Sequence, residues 1–426
     1  MNKKLLSVLA VSMVTGLLAG CGSQKTTDAA AEGEQKEAAD TTGEKVVLTV
    51  FDALAYGLDE YAEMTAKFEE EHPGVTIEVQ HAANDSATLL QSRVNANDIP
   101  DVFAVEAGTN AKKYYEYAYN WNNDQAVLDL FQPEAVDIGK DDDGNVMSLP
   151  WTYENAGLLY NKDLFAQAGI TDLPKTLDEL EQACEKLQAA GITPFALAAH
   201  EGWVLGQLST HFMMDKSLDA EGVVNGLDDG SLTFQSLPNF KNLFRFLDLA
   251  KKYGLAKPLE IDWETSENML ANNQAAIISM GDWCQSVLDS FNPDANVGFL
   301  PCPVSDNPND VTLLSTCNWT YIVNKDSKNL ELAKEYAEYI LTSEMGQYWM
   351  CDGVGSVPAV ITDREVKGTL ANDAKAYVQN GETNDWIHTK APAGYTKTIG
   401  AYMQAYMTGD MSADQVTQEF QNFWNQ

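Results

Sequence analysis

Val46-Val47-Leu48-Thr49-Val50-Phe51 opens a stretch that runs through Leu58, Tyr61, Met64 and Phe68 to His72-Pro73-Gly74-Val75-Thr76-Ile77-Glu78-Val79. Residues 46–51 are a short, nearly continuous apolar run, the pattern of a strand buried on both faces. Leu58, Tyr61, Met64 and Phe68 recur at helical spacing and predict one inward helical face, which His72-Pro73-Gly74 stops. Val75, Ile77 and Val79 then alternate with polar residues, as in a second strand. Strand, helix and strand in so short a space form the unit of a layered α/β fold.

The alternation continues along the chain. Thr176-Leu177-Asp178-Glu179 reads as a capping box opening a helix with Leu177, Leu180, Cys184 and Leu187 inward, closed by Gly191. Ala275–Met280 and Thr320–Val323 read as strands, and Ser412-Ala413-Asp414-Gln415 caps a last helix carrying Val416, Phe420, Phe423 and Trp424. These patterns predict α/β layers with mostly parallel sheets and no internal repeat. The chain has 426 residues, 45% of them hydrophobic, more than one ordinary core holds, so two domains are expected.

The N-terminus has a different character. Lys3 and Lys4 precede an apolar run from Leu5 to Ala19, which ends in Leu18-Ala19-Gly20-Cys21. That run is shorter than the roughly 18 to 20 residues that span a bilayer, so residues 1–20 read as an export signal. Cys21 stands where a bacterial lipoprotein signal places the cysteine that is lipidated and becomes the new N-terminus. Its two acyl chains would anchor the protein stably to the outer face of the membrane, where one chain would hold it only reversibly. Gly22–Lys45 lacks Val, Ile, Leu, Met and aromatic residues, as in a disordered tether reaching on the order of 25 to 30 Å.

Charge and metal-binding residues exclude several classes. A formal net charge of −36 repels nucleic acid and anionic lipid; it suits solubility, or a cationic ligand. Beyond Cys21 there are Cys184, Cys284, Cys302, Cys317 and Cys351, with no CxxC pair; a Cys302–Cys317 disulfide is one option. His200-Glu201 lacks the second histidine of a zincin helix. Asp141-Asp142-Asp143-Gly144 has Gly139 and Pro150 where a calcium loop needs its first and twelfth ligands. It reads instead as a hairpin turn at Asp143-Gly144 leading into a strand Val146–Leu149. No metal and no cofactor is expected.

Several segments resemble family 1 extracellular solute-binding proteins. Phe68-Glu69-Glu70-Glu71-His72-Pro73-Gly74-Val75 is similar to their first helix and second strand. Leu149-Pro150-Trp151 through Leu159-Tyr160-Asn161-Lys162-Asp163-Leu164-Phe165, continuing to Leu180, resembles their most recognisable segment. Ala275–Trp283 and Gly355–Ala359 match two more. The resemblance implies a two-lobed periplasmic-binding-protein-like α/β fold of type II, with the ligand in a cleft between lobes joined by crossover strands. Similarity to maltose-binding protein puts the crossings near Trp151–Glu154, Pro301–Pro303 and Gly353–Pro358. One lobe would be residues 46–152 plus 302–353, the other 153–301 plus 354–426. It also implies a monomeric, non-enzymatic receptor that hands a sugar to the permease of an ABC importer.

A sugar presents C–H faces and many hydroxyls, so its site needs flat aromatics and carboxylate or amide acceptors. Most of the 9 Trp and 17 Tyr must be core. Trp283 follows Gly281 at a strand end, where ligands of open α/β sheets collect, and matches the family's stacking tryptophan. Glu154 matches a sugar-binding glutamate by its distance from Asn161, or is a solvated hinge carboxylate. Glu201 and Trp203 resemble a glutamate and aromatic that enter the cleft. Trp151, Trp319 and Tyr395 are further candidates, as are Asp52, Tyr56 and Glu106 at first-lobe strand ends. The family's first-lobe aspartate–arginine sugar pair finds no match. Two other classes fit parts of the pattern: an anchored glycoside hydrolase with Glu154 and Glu201 as its acid and base, and a polyamine receptor, which the acidity would suit.

Overall fold

The computed structural model describes residues 45–426 except Tyr56, 83–84 and 215–219. The expected signal, Cys21, the tether as far as residue 44, and Tyr56 lie outside the described residues. Two sheets organise the rest. The first has the order β2-β1-β3-β9-β4, built from β1 (Val46–Asp52), β2 (Val75–His81), β3 (Val102–Glu106), β4 (Leu149–Pro150) and β9 (Trp319–Val323). β1 lies parallel to β2, in register from Val46↔Val75 to Asp52↔His81, and parallel to β3 on its other side. The helix Leu58–Glu71 between β1 and β2 buries Tyr61, Met64 and Phe68. Leu58, expected on that face, is the first residue of the helix and is 41% exposed.

The second sheet is organised by β5 (Thr152–Asn161). β6 (Ile277–Gly281), β7 (Val297–Leu300), β8 (Leu313–Cys317) and β10 (Val357–Pro358) all run antiparallel to it. β11 (Thr383–Asp385) lies parallel to β8 at the edge. Antiparallel ladders therefore outnumber parallel ones, against the expectation of mostly parallel sheets. β5 arrives straight from the first sheet with only Trp151 between it and β4, so it enters against the direction of the strands around it.

Each sheet has its own core. Leu48, Val50, Phe68, Trp121, Trp151, Tyr321 and Trp349 belong to one; Leu159, Leu180, Phe246, Ile277, Trp386 and Phe420 belong to the other. The chain passes between sheets at Trp151 and again at Asn318, between β8 and β9. Pro301–Pro303, expected to be a crossing, is not one: Cys302 and Val304 stay in the second core and β8 pairs with β5. A further passage follows Trp349–Val354, a π-helical turn that precedes β10. π-turns of this kind recur at functional sites and interrupt a regular ladder.

Local signals work as their chemistry predicts. Thr176 caps the helix Leu177–Ala189 by accepting from the Glu179 amide at 3.1 Å, and the Glu179 carboxylate accepts from the Lys175 amide at 2.8 Å. Ser412 and Gln415 form a full reciprocal box on Ala413–Trp424. At Asp141–Asn145 the Asp141 carboxylate accepts from the Asp143 and Asn145 amides, closing a turn, and Val146 bridges Lys140. The strand expected at Val146–Leu149 is shorter, starting at Leu149. Cys184, Cys284, Cys302, Cys317 and Cys351 are buried free thiols, so Cys302 and Cys317 are not joined.

Candidate functional site

Three strand ends meet where the two sheets adjoin. β3 of the first sheet ends at Glu106, which pairs with Trp319 at the start of β9, and the Ala107 amide donates to the Asn318 carbonyl at 2.8 Å. Glu154 lies two residues into β5. β6 ends at Gly281, and the next residue, Asp282, accepts hydrogen bonds from the Asn155 amide and side chain at 2.9 and 2.6 Å. Gly281 is required here: a Cβ would lie 2.0 Å from the Trp283 ring and 2.3 Å from the Asn155 carbonyl oxygen. The missing side chain lets the indole fold back against the strand it follows.

The carboxyls at this junction share one electrostatic condition. Glu154 is only 3% exposed, and burial pushes its pKa up to about 8; hydrogen bonding to Asn318 opposes the shift, and the charges of Asp282 and Glu106 add to it. Burial pushes Asp282 up to about 7 against the Asn155 hydrogen bonds. Burial also raises Glu106, with Lys113 opposing, and the Asn110 side chain donates to it at 2.8 Å. Glu154 is thus no solvated hinge carboxylate. Beside it, the side-chain oxygens of Asn155 and Asn318 are buried with no hydrogen-bond partner among the described residues.

Aromatic rings form the adjoining wall. Trp283 is 7% exposed and lies nearly parallel to Trp386, with ring centres 5.7 Å apart and planes 12° apart. Trp386 is held by donating from Nε1 to the Thr210 hydroxyl at 2.9 Å, and its other neighbour is the imidazole of His388, 4.1 Å away. The peptides that follow touch the first lobe. The Thr109 hydroxyl donates to the Ala391 carbonyl at 2.5 Å, and a Cβ on Gly108 would come within 1.9 Å of the Thr389 carbonyl oxygen. The loop after β3 and the segment after Trp386 are therefore in direct contact.

The structure sorts the expected residues into three groups. Glu154, Glu106, Trp319 and Trp283 come together at the junction. Three others are core. Trp151 packs among Trp319, Tyr321 and Trp349. Asp52, a candidate at a strand end, is fully buried; it accepts from the Leu54 amide and the Tyr321 hydroxyl, and burial lifts it to about 6. Tyr395 is corrected from cleft candidate to packing residue: its hydroxyl meets Ser209 at 2.9 Å, and its ring packs against Phe420 and Trp424.

Glu201 and Trp203 stand apart from these. They begin the helix Gly202–His211 whose other end holds Trp386 through Thr210, about 13 Å along the axis at 1.5 Å per residue. Burial raises the Glu201 carboxyl, and its Oε2 has no partner among the described residues. Asp282, Asn318, Trp386 and His388 were not anticipated. Asp282 could have been read from its place beside Trp283; Trp386 and His388 sit in a short irregular segment with no periodicity to mark them. Among the described residues no cluster of three or more His, Cys, Asp or Glu could hold a metal, and no helix is long and apolar enough to cross a membrane.

The chain is 24% identical to the melibiose/raffinose/stachyose-binding protein MelE of Bacillus subtilis, over 87% of this chain and 84% of that protein. It is 24% identical to the multiple sugar-binding protein of Streptococcus mutans, over 92% and 95%. Among solved structures, a Bacillus licheniformis sugar transporter component in complex with stachyose superposes with a TM-score of 0.75 at 21% identity, covering 89% of this chain and 99% of that one. A chitin oligosaccharide binding protein does so with a TM-score of 0.77 at 21% identity, covering 89% and 98%. These neighbours share the two-lobed α/β fold. Residues 54–347, more than half of the chain, match the family of bacterial extracellular solute-binding proteins, and to that family this chain belongs.

Proposed function

We propose that this protein is the substrate-binding lipoprotein of an ABC importer, holding a small oligosaccharide between its lobes for transfer to a membrane permease. One observation carries the reading: Trp283, backed by the fully buried Trp386, stands beside the buried carboxyls of Glu154 and Asp282 and the part-buried carboxyl of Glu106, where the two sheets meet. Flat rings match the C–H face of a pyranose, and carboxyl and amide oxygens match its hydroxyls. The sugars for which MelE is named, melibiose, raffinose and stachyose, support the same class.

In this reading one lobe carries the first sheet, the other the second, and Trp151, Asn318 and the turn after Trp349 are the hinge. Ligand favours the closed form only by contacts made there and not in the open form. The closed monomer then presents both lobes to the permease. Cys21, lipidated after removal of residues 1–20, holds the receptor at the outer face of the membrane.

The test is isothermal titration of the Val46–Gln426 chain against melibiose, raffinose, stachyose, maltotriose and diacetylchitobiose, with spermidine as a cationic control. Saturable binding of one sugar with no hydrolysis product supports the proposal. Product release points to a glycoside hydrolase, and binding of spermidine alone to a polyamine receptor that uses the same carboxyl cluster.

A further inference from the structure

Trp283 and Trp386 reach each other from strands that are not neighbours. Ala156 of β5 pairs with Gly281 of β6 on one side and with Leu314 of β8 on the other, and β11 lies beyond β8. Trp283 follows β6 and Trp386 follows β11, so the two rings meet across β5 and β8. The Trp283 ring rests on Gly281 at the end of its strand, and its face is set against Trp386. Whatever fixes the Trp386 indole therefore fixes the plane of Trp283.

Trp386 is fully buried, so it offers no surface to a ligand and its N–H needs an acceptor inside the protein. Two hydrogen bonds hold it. Its backbone amide donates to the Ser315 carbonyl of β8 at 3.2 Å, and its Nε1 donates to the Thr210 hydroxyl at 2.9 Å. That hydroxyl directs its own proton to the Gln207 carbonyl, 2.6 Å away and one turn back in the helix Gly202–His211, which leaves a lone pair for the indole. The backbone bond sets where Trp386 sits; the Thr210 bond sets how its ring is turned. Resting on the sugar-binding reading, in which Trp283 carries the stacking face, we infer that Thr210 is a positioning residue: by holding Trp386 it sets the angle at which Trp283 meets the C–H face of the sugar. Thr210 is itself fully buried and touches no ligand. Stacking on an aromatic face depends on that angle, and a binding constellation tolerates a drift of only about 0.5 Å.

The experiment titrates wild type, Thr210→Val, Thr210→Ser and Tyr395→Phe with melibiose, raffinose, stachyose, maltotriose and diacetylchitobiose. Thr210→Val keeps the branched shape and removes the acceptor, so Trp386 must turn or leave its N–H unpaired; affinity for the sugar bound by wild type should fall by about fivefold or more. Thr210→Ser keeps the hydroxyl and should stay within about twofold of wild type. Tyr395→Phe loses the hydroxyl that meets Ser209, the residue before Thr210 in the same helix; it should melt lower, as Thr210→Val does, with affinity unchanged. In the ligand-free protein the exciton couplet of the paired indoles, read by circular dichroism, should shrink in Thr210→Val and persist in Thr210→Ser. Wild-type affinity in Thr210→Val overturns the assignment and leaves the sugar reading standing, as does an equal loss of affinity in Thr210→Val and Tyr395→Phe. Failure of wild type to bind any probe overturns the sugar reading and the role of Thr210 with it. Should Thr210→Val not fold, Trp386→Phe keeps a flat ring without the bond to Thr210: lowered affinity supports the assignment, and wild-type affinity overturns it.

Discussion

Gly108, in the loop after β3 of the first sheet, and Thr389, after β11 of the second, are so close that a Cβ on the glycine would lie 1.9 Å from the threonine carbonyl oxygen. Gly108 also has φ of 66°, a left-handed conformation that side chains resist. Gly108→Ala should therefore prop the lobes apart. Sugar affinity should fall by at least about tenfold, since closure can only be driven by contacts that the alanine now blocks. Small-angle scattering with saturating sugar should show a larger radius of gyration than wild type. Thr109→Val, which removes only the hydrogen bond to Ala391, should lose about fivefold, the effect of roughly 1 kcal/mol.

Trp283 and Tyr395 should separate ligand binding from packing. Trp283→Ala should abolish measurable sugar binding and also lower the melting temperature, because the ring is buried and truncating an indole costs about 3 to 5 kcal/mol. Trp283→Phe should restore most of the stability and only part of the affinity. Tyr395→Phe removes a hydroxyl held by Ser209 inside the second core; it should cost about 1 kcal/mol of stability and leave affinity unchanged. Calorimetry and titration on the same three variants check this.

Glu154 predicts how stability varies with pH. Its folded-state pKa of about 8 lies above that of an unfolded glutamate, so the folded protein keeps a proton that the unfolded chain releases. That stabilisation is fully present below about pH 4.5 and is lost as pH rises through 8. Asp282, at about 7, and Asp52, at about 6, act in the same direction over lower windows. The ligand-free melting temperature should fall between pH 5 and pH 9 in a differential scan. Glu154→Gln should flatten the upper part of that slope and be more stable than wild type at the alkaline end.

Reducing agent should change nothing in the described part of the chain. Cys184, Cys284, Cys302, Cys317 and Cys351 are separate buried thiols, so melting temperatures with and without dithiothreitol should coincide. A drop on reduction would require a bridge that this packing does not contain.

Much of the architecture could be read in the residues before any coordinates. The apolar run of β1, the spacing of Tyr61, Met64 and Phe68, and the caps at Thr176 and Ser412 are local signals, each acting over a few residues. They sufficed for the α/β class, and with the Asn161–Phe165 segment for the family. Trp283 does follow a strand end, a position that sequence marks.

What the sequence determined by itself was the set of elements and the kind of residue at each strand end. Only the tertiary structure decided which ends meet. It placed the second crossing at Asn318 because β8 pairs with β5, a contact between residues far apart in the chain. It turned Asp52 and Tyr395 inward, since their partners Tyr321 and Ser209 are equally remote in sequence. It brought Trp386 and His388 to Trp283 from an irregular segment that carries no period. Periodicity reports the face of a single element, whereas a binding site between lobes is made by non-local contacts that no local pattern encodes.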